Sequence, residues 1–294
     1  MKITELWQSG RKPTISFELF PARTEKAAIN LDKAIDKLAD LQPDFFSVTF
    51  GAGGSTKEGS YNLVKKLKVG KGLEVLPYFA CYGLGPTAIT EVVSSYRELG
   101  IDSLLAVRGD PPRDVEGFTP HPESFSHASD LLLFLGSRFE DLCLGAAGYP
   151  EGHVAAESRD RDLEFLKLKV TNGARFIIAN YFYDNAFFFD FCERCRQIGI
   201  DVPIIPGVMP IYSVKMMETL AGICGATITD QLRARIATVA EGDKAGLVEL
   251  GVELATSQCR QLLEHGVAGL HFYTMDRSKS ALGIIERLRS ESLL

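Results

Sequence analysis

Short β-rich runs alternate with longer amphipathic runs along this chain, and the alternation repeats eight times. The β-rich runs are PTISFELF (13–20), DFFSVTF (44–50), EVLPYFAC (74–81), SLLAVRG (103–109), LCLGAAGY (142–149), RFIIANYF (175–182), VPIIPGV (202–208) and GLHFYTM (269–275). Between them lie runs with helical spacing. In 27–41, Leu31, Ile35, Leu38 and Leu41 recur at three- and four-residue intervals. Further helices are predicted near 61–69, 87–99, 129–135, 160–172, 186–198, 214–223 and 280–288, with extra helical segments inside 226–263. Such alternation implies parallel strands joined by helical crossovers. The strand interiors are apolar on both faces, as in a sheet covered on both sides. A closed (β/α)8 barrel takes ~250 residues, and this chain has 294 with no Pro/Gly/Ser-rich linker. The expectation is one α/β domain over 1–294, a TIM barrel with extra helices before the last strand. The alternative is an open doubly wound sheet, but GxGxxG does not follow the first strand. GAGGST (51–56) follows the second strand and lacks the Walker lysine pattern, so it reads as a tight backbone loop near a ligand.

Composition narrows the classes of function. The chain carries 32 basic and 38 acidic residues without a long basic run, which argues against nucleic acid or an anionic membrane as partner. No stretch approaches the ~20 apolar residues that span a bilayer, and the N-terminal MKITELWQSGRKPT lacks the apolar centre of a secretion signal. A cytoplasmic protein is expected. The six cysteines are scattered, which fits a reducing compartment. Cys192 and Cys195 form a CxxC inside a helical pattern, so they read as neighbours on one helix face; a metal or redox pair is the alternative.

In a barrel of this type the active site lies at the C-terminal ends of the strands. Those ends carry Glu18, Thr49, Tyr78, Arg108, Gly109, Asp110, Tyr149, Asn180, Pro206 and the group His271, Phe272 and Tyr273. His153 and His271 are the candidate metal histidines, but neither sits in HxH or HExxH, so no metal site is expected. Glu18 interrupts the apolar SFELF. It is either an outward partner for a helix lysine or a general acid whose pKa is raised by its apolar neighbours. Asp110, in VRGDPP, is either a turn residue or a functional carboxylate. Arg108 beside it grips an anion or pairs with Asp110. YPEGH (149–153) is either a proline turn capped by its histidine or a ligand loop. AFFFDF (186–191) reads as helix packing.

Seven motifs then stand in one order: SFELFPAR (16–23), SVTFGAGGS (47–55), AVRGDPP (106–112), AAGYPEGH (146–153), LKLKVTNGA (166–174), IIPGVMP (204–210) and HFYTMDR (271–277). Together they resemble the 5,10-methylenetetrahydrofolate reductase family over nearly the whole chain, in the bacterial form without a regulatory domain. The resemblance implies a barrel that binds FAD, takes electrons from NADH or NADPH, and reduces methylenetetrahydrofolate to 5-methyltetrahydrofolate for methionine synthesis. It also implies a homo-oligomer. Glu18 matches the family's general acid, which protonates N10 as the imidazolidine ring opens. That role needs a pKa above the solution value of ~4.3. Asp110 matches the aspartate beside flavin and folate, where negative charge favours hydride donation and the cationic iminium. Thr49, Phe50, Ala52, Tyr78, Arg108, Gly109, Ala128, Tyr149, His153, Ala156, Asp162 and Lys169 match cofactor-contacting positions. Asn180, Met216, Leu220 and Arg277 match the substrate face.

The chain departs from the family at several of these positions. Asn180 stands for a glutamine, one methylene shorter. Tyr78 replaces a histidine and Phe165 a polar residue; Met216 and Leu220 replace glutamine and phenylalanine. A flavin-independent pterin or folate methyltransferase barrel is the alternative function, and a non-catalytic flavin- or folate-binding barrel is a third.

Overall fold

The computed structural model describes residues 2–8, 11–51, 57–111 and 117–294. Eight strands close into a parallel barrel in sequence order: β1 (Thr14–Leu19), β2 (Phe45–Val48), β3 (Val75–Ala80), β4 (Ser103–Val107), β5 (Cys143–Gly148), β6 (Ala174–Tyr181), β7 (Ile204–Val208) and β8 (Gly269–Tyr273). β8 pairs with β1 through Ser16 opposite His271 and Glu18 opposite Tyr273, which closes the ring.

Helices α1 (Glu25–Ala39), α2 (Lys57–Lys65), α3 (Pro86–Glu98), α4 (Ala128–Arg138), α5 (Arg159–Thr171), α6 (Asn185–Gln197), α7 (Val214–Cys224) and α10 (Ser278–Ser290) follow the strands in turn. The extra helices α8 (Asp230–Ile236) and α9 (Lys244–Glu264) precede β8, as the pattern in 226–263 predicts. Local chemistry fixes the helix starts. The side chains of Thr24, Ser158, Asp184, Ser213, Thr229 and Asp243 accept first-turn N–H groups of α1, α5, α6, α7, α8 and α9. Pro86 begins α3, where a missing N–H costs nothing. The predicted 61–69 helix is shifted: α2 ends at Lys65 and passes into a π turn over Lys66–Gly70.

The main core lies between the sheet and the helices, where Phe17, Leu19, Phe46, Phe79, Ile35, Leu38, Ile284 and Ile285 are buried. A separate cluster fills the lower barrel interior: Phe45, Leu76, Leu105, Cys143, Phe176 and Ile178. A 3-10 helix, Ile3–Trp7, stoppers that end. Its Ile3 N–H donates to Ser103 Oγ at 2.9 Å and its Trp7 Nε1 to Thr14 Oγ1 at 2.8 Å. Trp7 packs against Phe45 and Phe176. Gly145 leaves room for this packing, since a Cβ there would meet the Phe176 ring at 2.2 Å. With the bottom closed by apolar side chains, polar groups gather in the upper half of the barrel.

Candidate active site

Side chains two apart on a strand share a face. Ser16 and Glu18 of β1 therefore turn to the same side, and hydrogen bonds identify that side as the barrel interior. The buried His271 of β8 has Nδ1 2.8 Å from Ser16 Oγ, and Nε2 3.2 Å from the Tyr78 hydroxyl and 3.4 Å from Ser47 Oγ. Burial pushes the His271 pKa down to about 3, so its imidazole is neutral at physiological pH and holds a single proton. It thus serves one neighbour as donor and another as acceptor. Its side chain lies within the barrel, committed to three hydroxyls.

Glu18 sits above this layer and is 4% exposed. It is not the outward partner of a helix lysine. Burial raises its pKa from 4.5 to about 8; a hydrogen bond with Tyr78 acts in the opposite direction, and the nearby Asp276 adds to the rise. At pH 7 the carboxyl is protonated by about ten to one. The loop after β8 is tied to the same strand end. Thr274 Oγ1 donates to the Glu18 carbonyl at 2.7 Å, and Asp276 Oδ1 accepts from Phe20 N–H at 3.0 Å. Met275 and Asp276 have φ of +50° and +56°, a left-handed pair without glycine. Those two bonds hold the strained turn in place.

Across the mouth, a cavity of about 300 Å³ opens between the ends of β4 and β5 and helices α4 and α5. Arg108, Ala128, Tyr149, His153, Ala156, Asp162 and Lys169 all line it. The sequence spreads these seven residues over 62 positions, and the fold brings them to one wall. Lys169 Nζ reaches from α5 to the Ala147 carbonyl at 3.1 Å and lies 6.0 Å from the Tyr149 ring centroid. Burial lowers its pKa while Asp162 opposes that shift. Asp162 Oδ2 accepts from His153 N–H at 3.2 Å, and the His153 ring stands edge-on to Tyr149 at 4.6 Å. Burial pushes the Asp162 pKa up and that of His153 down. His153 Nδ1 also accepts from Ala155 N–H at 3.1 Å, which is the turn-capping reading of YPEGH. Phe165 borders this cavity as well and is 42% exposed.

Other expected residues lie near but outside it. Gly109 and Asp110 continue from Arg108, whose guanidinium is 3.4 Å from Asp110 Oδ1. Gly109 has φ +78°, and a Cβ there would stand 2.6 Å from that of Ala80. Thr49 and Phe50 follow β2: Ser60 Oγ donates to the Thr49 carbonyl at 2.8 Å, and Phe50 packs on Phe79. Ala52 and Pro112 lie outside the described residues. Asn180 borders a small crevice with Tyr149, Tyr181 and Cys224, where the β6–β7 register shifts. Met216 and Leu220 are half-buried, one turn apart on α7. Arg277 rests over the Tyr212 ring at 5.4 Å and lines a different cavity, outside β8. A further cavity of about 310 Å³ between α6, α8 and α9 contains none of these residues. Cys192 and Cys195 are free thiols on α6, both pushed up to about 12 by burial. Sequence reasoning missed Ser16, Ser47 and Asp276, although the alternation in SFELF and SVTF carried the first two.

The family model described as methylenetetrahydrofolate reductase matches residues 2–289. The chain belongs to the methylenetetrahydrofolate reductase family. The 5,10-methylenetetrahydrofolate reductase of Escherichia coli is 33% identical over 274 residues, covering 93% of this chain and 90% of that protein. Methylenetetrahydrofolate reductase (NADH) 1 of Arabidopsis thaliana is 35% identical over 297 residues, covering 98% of this chain but 50% of that protein. The chain therefore spans about half the length of the plant and yeast reductases it matches. Among solved structures, a Clostridium thermocellum protein described as binding two copies of 5-methyl-5,6,7,8-tetrahydrofolic acid superposes with a TM-score of 0.67. That match covers 98% of both chains at 16% identity, and it shows a shared barrel fold. No helix among the described residues is long and apolar enough to cross a membrane.

Proposed function

We propose that this member of the methylenetetrahydrofolate reductase family reduces 5,10-methylenetetrahydrofolate to 5-methyltetrahydrofolate with electrons from NAD(P)H, supplying methyl groups for methionine synthesis. The observation that carries the reading is Glu18: a carboxyl at the barrel mouth, buried and still protonated at neutral pH. Opening the imidazolidine ring breaks the bond between N10 and the bridging carbon. Glu18 gives its proton to N10 as that bond breaks, leaving the N5 iminium, and is left as a carboxylate. Tyr78 hydrogen-bonds to the carboxyl in both states, and the neutral His271 positions the Tyr78 hydroxyl. The exposed Asp110 places a negative charge where it favours the cationic iminium over the closed ring.

The residues present fit a flavin dinucleotide. Arg108 and the half-buried Lys169 supply positive charge for phosphate, Tyr149 an aromatic wall, and Ala128, Ala155 and Ala156 leave space between α4 and α5. FAD, when bound, supplies hydride transfer from NAD(P)H to the folate. Thr49, Phe50, Gly109 and Asp110 border the mouth where its ring system would lie.

The absorbance spectrum of the purified protein tests the reading. A yellow protein is expected, bleached by NAD(P)H and recoloured by methylenetetrahydrofolate. A colourless protein that transfers a methyl group from a folate would favour the methyltransferase reading. Asp110→Asn is expected to slow recolouring more than bleaching in stopped-flow measurements. Equal slowing of both steps would assign Asp110 to packing.

A further inference from the structure

The helix after β7 departs from the barrel plan. In a regular unit that helix runs back along the outside of the sheet, in the outer ring. Here the outer position between α6 and α10 is filled by α9, which packs against both. α7 takes another course. Ser213 caps its start just beyond β7, and its last residue, Cys224, lines a crevice with Tyr149, Asn180 and Tyr181. Those three stand at or just past the C-terminal ends of β5 and β6, so α7 spans about 16 Å across the barrel mouth. Met216, Leu220 and Cys224 are half-buried and recur every fourth residue, so they share one face. Cys224 turns that face towards Asn180 and the crevice. α7 is a roof over this part of the mouth.

One side chain fixes the far end of this roof. Glu151 stands on the loop after β5, and both its carboxylate oxygens accept from the Thr227 N–H at 3.0 Å, just past the end of α7. Among the described residues Glu151 forms no ion pair, so its carboxylate is committed to that backbone group. The join is closely packed. Gly225 ends α7 with φ +77°, and a Cβ there would meet Val154 at 2.8 Å. The loop that carries Glu151 is itself held: Arg159 Nε donates to the Glu151 carbonyl at 3.1 Å, and Gly152 N–H to that of Tyr149 at 2.9 Å. The same loop supplies Tyr149 and His153 to the wall of the Lys169 cavity. One short segment thus faces the cavity on one side and grips the roof on the other.

We propose that Glu151 is a positioning residue that latches α7 to the cavity loop, so that flavin in the Lys169 cavity and folate under α7 favour each other's binding. The proposal rests on the function proposed above and adds how the two sites are coupled. A flavin that orders the loop orders the latch, and the latch holds Met216 and Leu220 over the folate. Linkage makes the effect reciprocal: folate tightens flavin binding by the same factor. A charged acceptor on a solvent-facing N–H at a helix end sets the size, about fivefold in affinity.

The test measures the Kd for 5-formyltetrahydrofolate, a folate without a reducible methylene bridge, on flavin-free and FAD-loaded protein. The unmodified protein, Glu151→Ala and Glu151→Gln are compared, together with KM and kcat for methylenetetrahydrofolate and amide hydrogen exchange in α5 and α7. FAD is expected to tighten folate binding about fivefold in the unmodified protein. Glu151→Ala is expected to lose that factor, to raise KM about fivefold with kcat kept, and to speed exchange in α7 but not in α5. Glu151→Gln, whose amide oxygen still accepts from Thr227, is expected to keep most of the coupling. Coupling retained in Glu151→Ala overturns the latch and spares the reductase reading. So does a variant that loosens α5 and α7 alike and weakens flavin and folate binding independently, the pattern of a general packing role. An unmodified protein that reduces folate without any coupling overturns the latch as well. An unmodified protein that binds no folate overturns the reductase reading and the latch together.

Discussion

Glu18→Gln separates the acid's chemistry from its cost to the fold. Burial lifts its pKa from 4.5 to about 8 in the folded protein, while the unfolded chain keeps the ordinary value. Between these values the folded state holds a proton that the unfolded state has released. Stability contributed by the protonated carboxyl is therefore complete below pH 4.5 and is lost as pH rises towards 8. At 1.36 kcal/mol per pH unit the whole effect is about 5 kcal/mol, of which roughly 2 kcal/mol falls between pH 6 and pH 8. Glutamine has nearly the same shape, keeps a hydrogen bond to Tyr78, and carries no titrating proton. Urea unfolding at pH 6 and pH 8 measures the difference between the two proteins and cancels every other titrating group. The variant is expected to gain roughly 2 kcal/mol on the unmodified protein across that interval. The same variant is expected to keep NAD(P)H oxidation with an artificial acceptor and lose folate reduction. A stability difference that stays constant with pH would show that Glu18 titrates like an exposed carboxylate, and the proton-donor argument would fall.

Tyr78→Phe removes the hydrogen bond that holds the Glu18 pKa down. The alkaline limb of the pH–rate profile for folate reduction is expected to move to higher pH; an unmoved limb would exclude Tyr78 from the acid's surroundings. Lys169→Met keeps the packing of a half-buried side chain and removes its charge. Flavin affinity, read by fluorescence quenching, is expected to fall about tenfold or more, and an unchanged affinity would place the phosphates elsewhere. Gly109→Ala forces a Cβ to within 2.6 Å of Ala80 at a φ of +78°. A loss of about 1–3 kcal/mol in urea unfolding is expected, and a neutral outcome would mean the β4 loop relaxes freely.

The barrel was legible because its signal is redundant. Each of the eight strands is a short apolar run, and most helix starts carry their own punctuation, such as Thr24, Pro86 or Ser213. The alternation repeats often enough that one blurred element, such as the π turn after α2, does not alter the count. The stopper at the bottom was not legible. Ile3, Leu6 and Trp7 form too short a run to announce a helix, and their partners Phe45, Ser103 and Phe176 come from three distant strands. Only closure of the ring gives them an interior to fill.

The site divides along the same physical line. Glu18 was visible because a carboxylate in an apolar strand is costly, so its environment had to answer for it. Ser16 and Ser47 were invisible as functional residues because a serine in a strand costs little, and their value appears only when the register places both beside His271. The Lys169 cavity came from motif resemblance and not from residue chemistry, since Ala128, Tyr149 and Lys169 are individually ordinary. The fold explains why they belong together: α4 and α5 flank consecutive strands, so the loops after β4 and β5 share one wall. The same geometry sets Glu18 on the opposite wall. In the function proposed above, a long cofactor lies along one side of the mouth and Glu18 acts from the other, with the substrate between them. Both are held by strands of one closed sheet, so a mutation that loosens either wall is expected to change how the two face each other before it changes either alone.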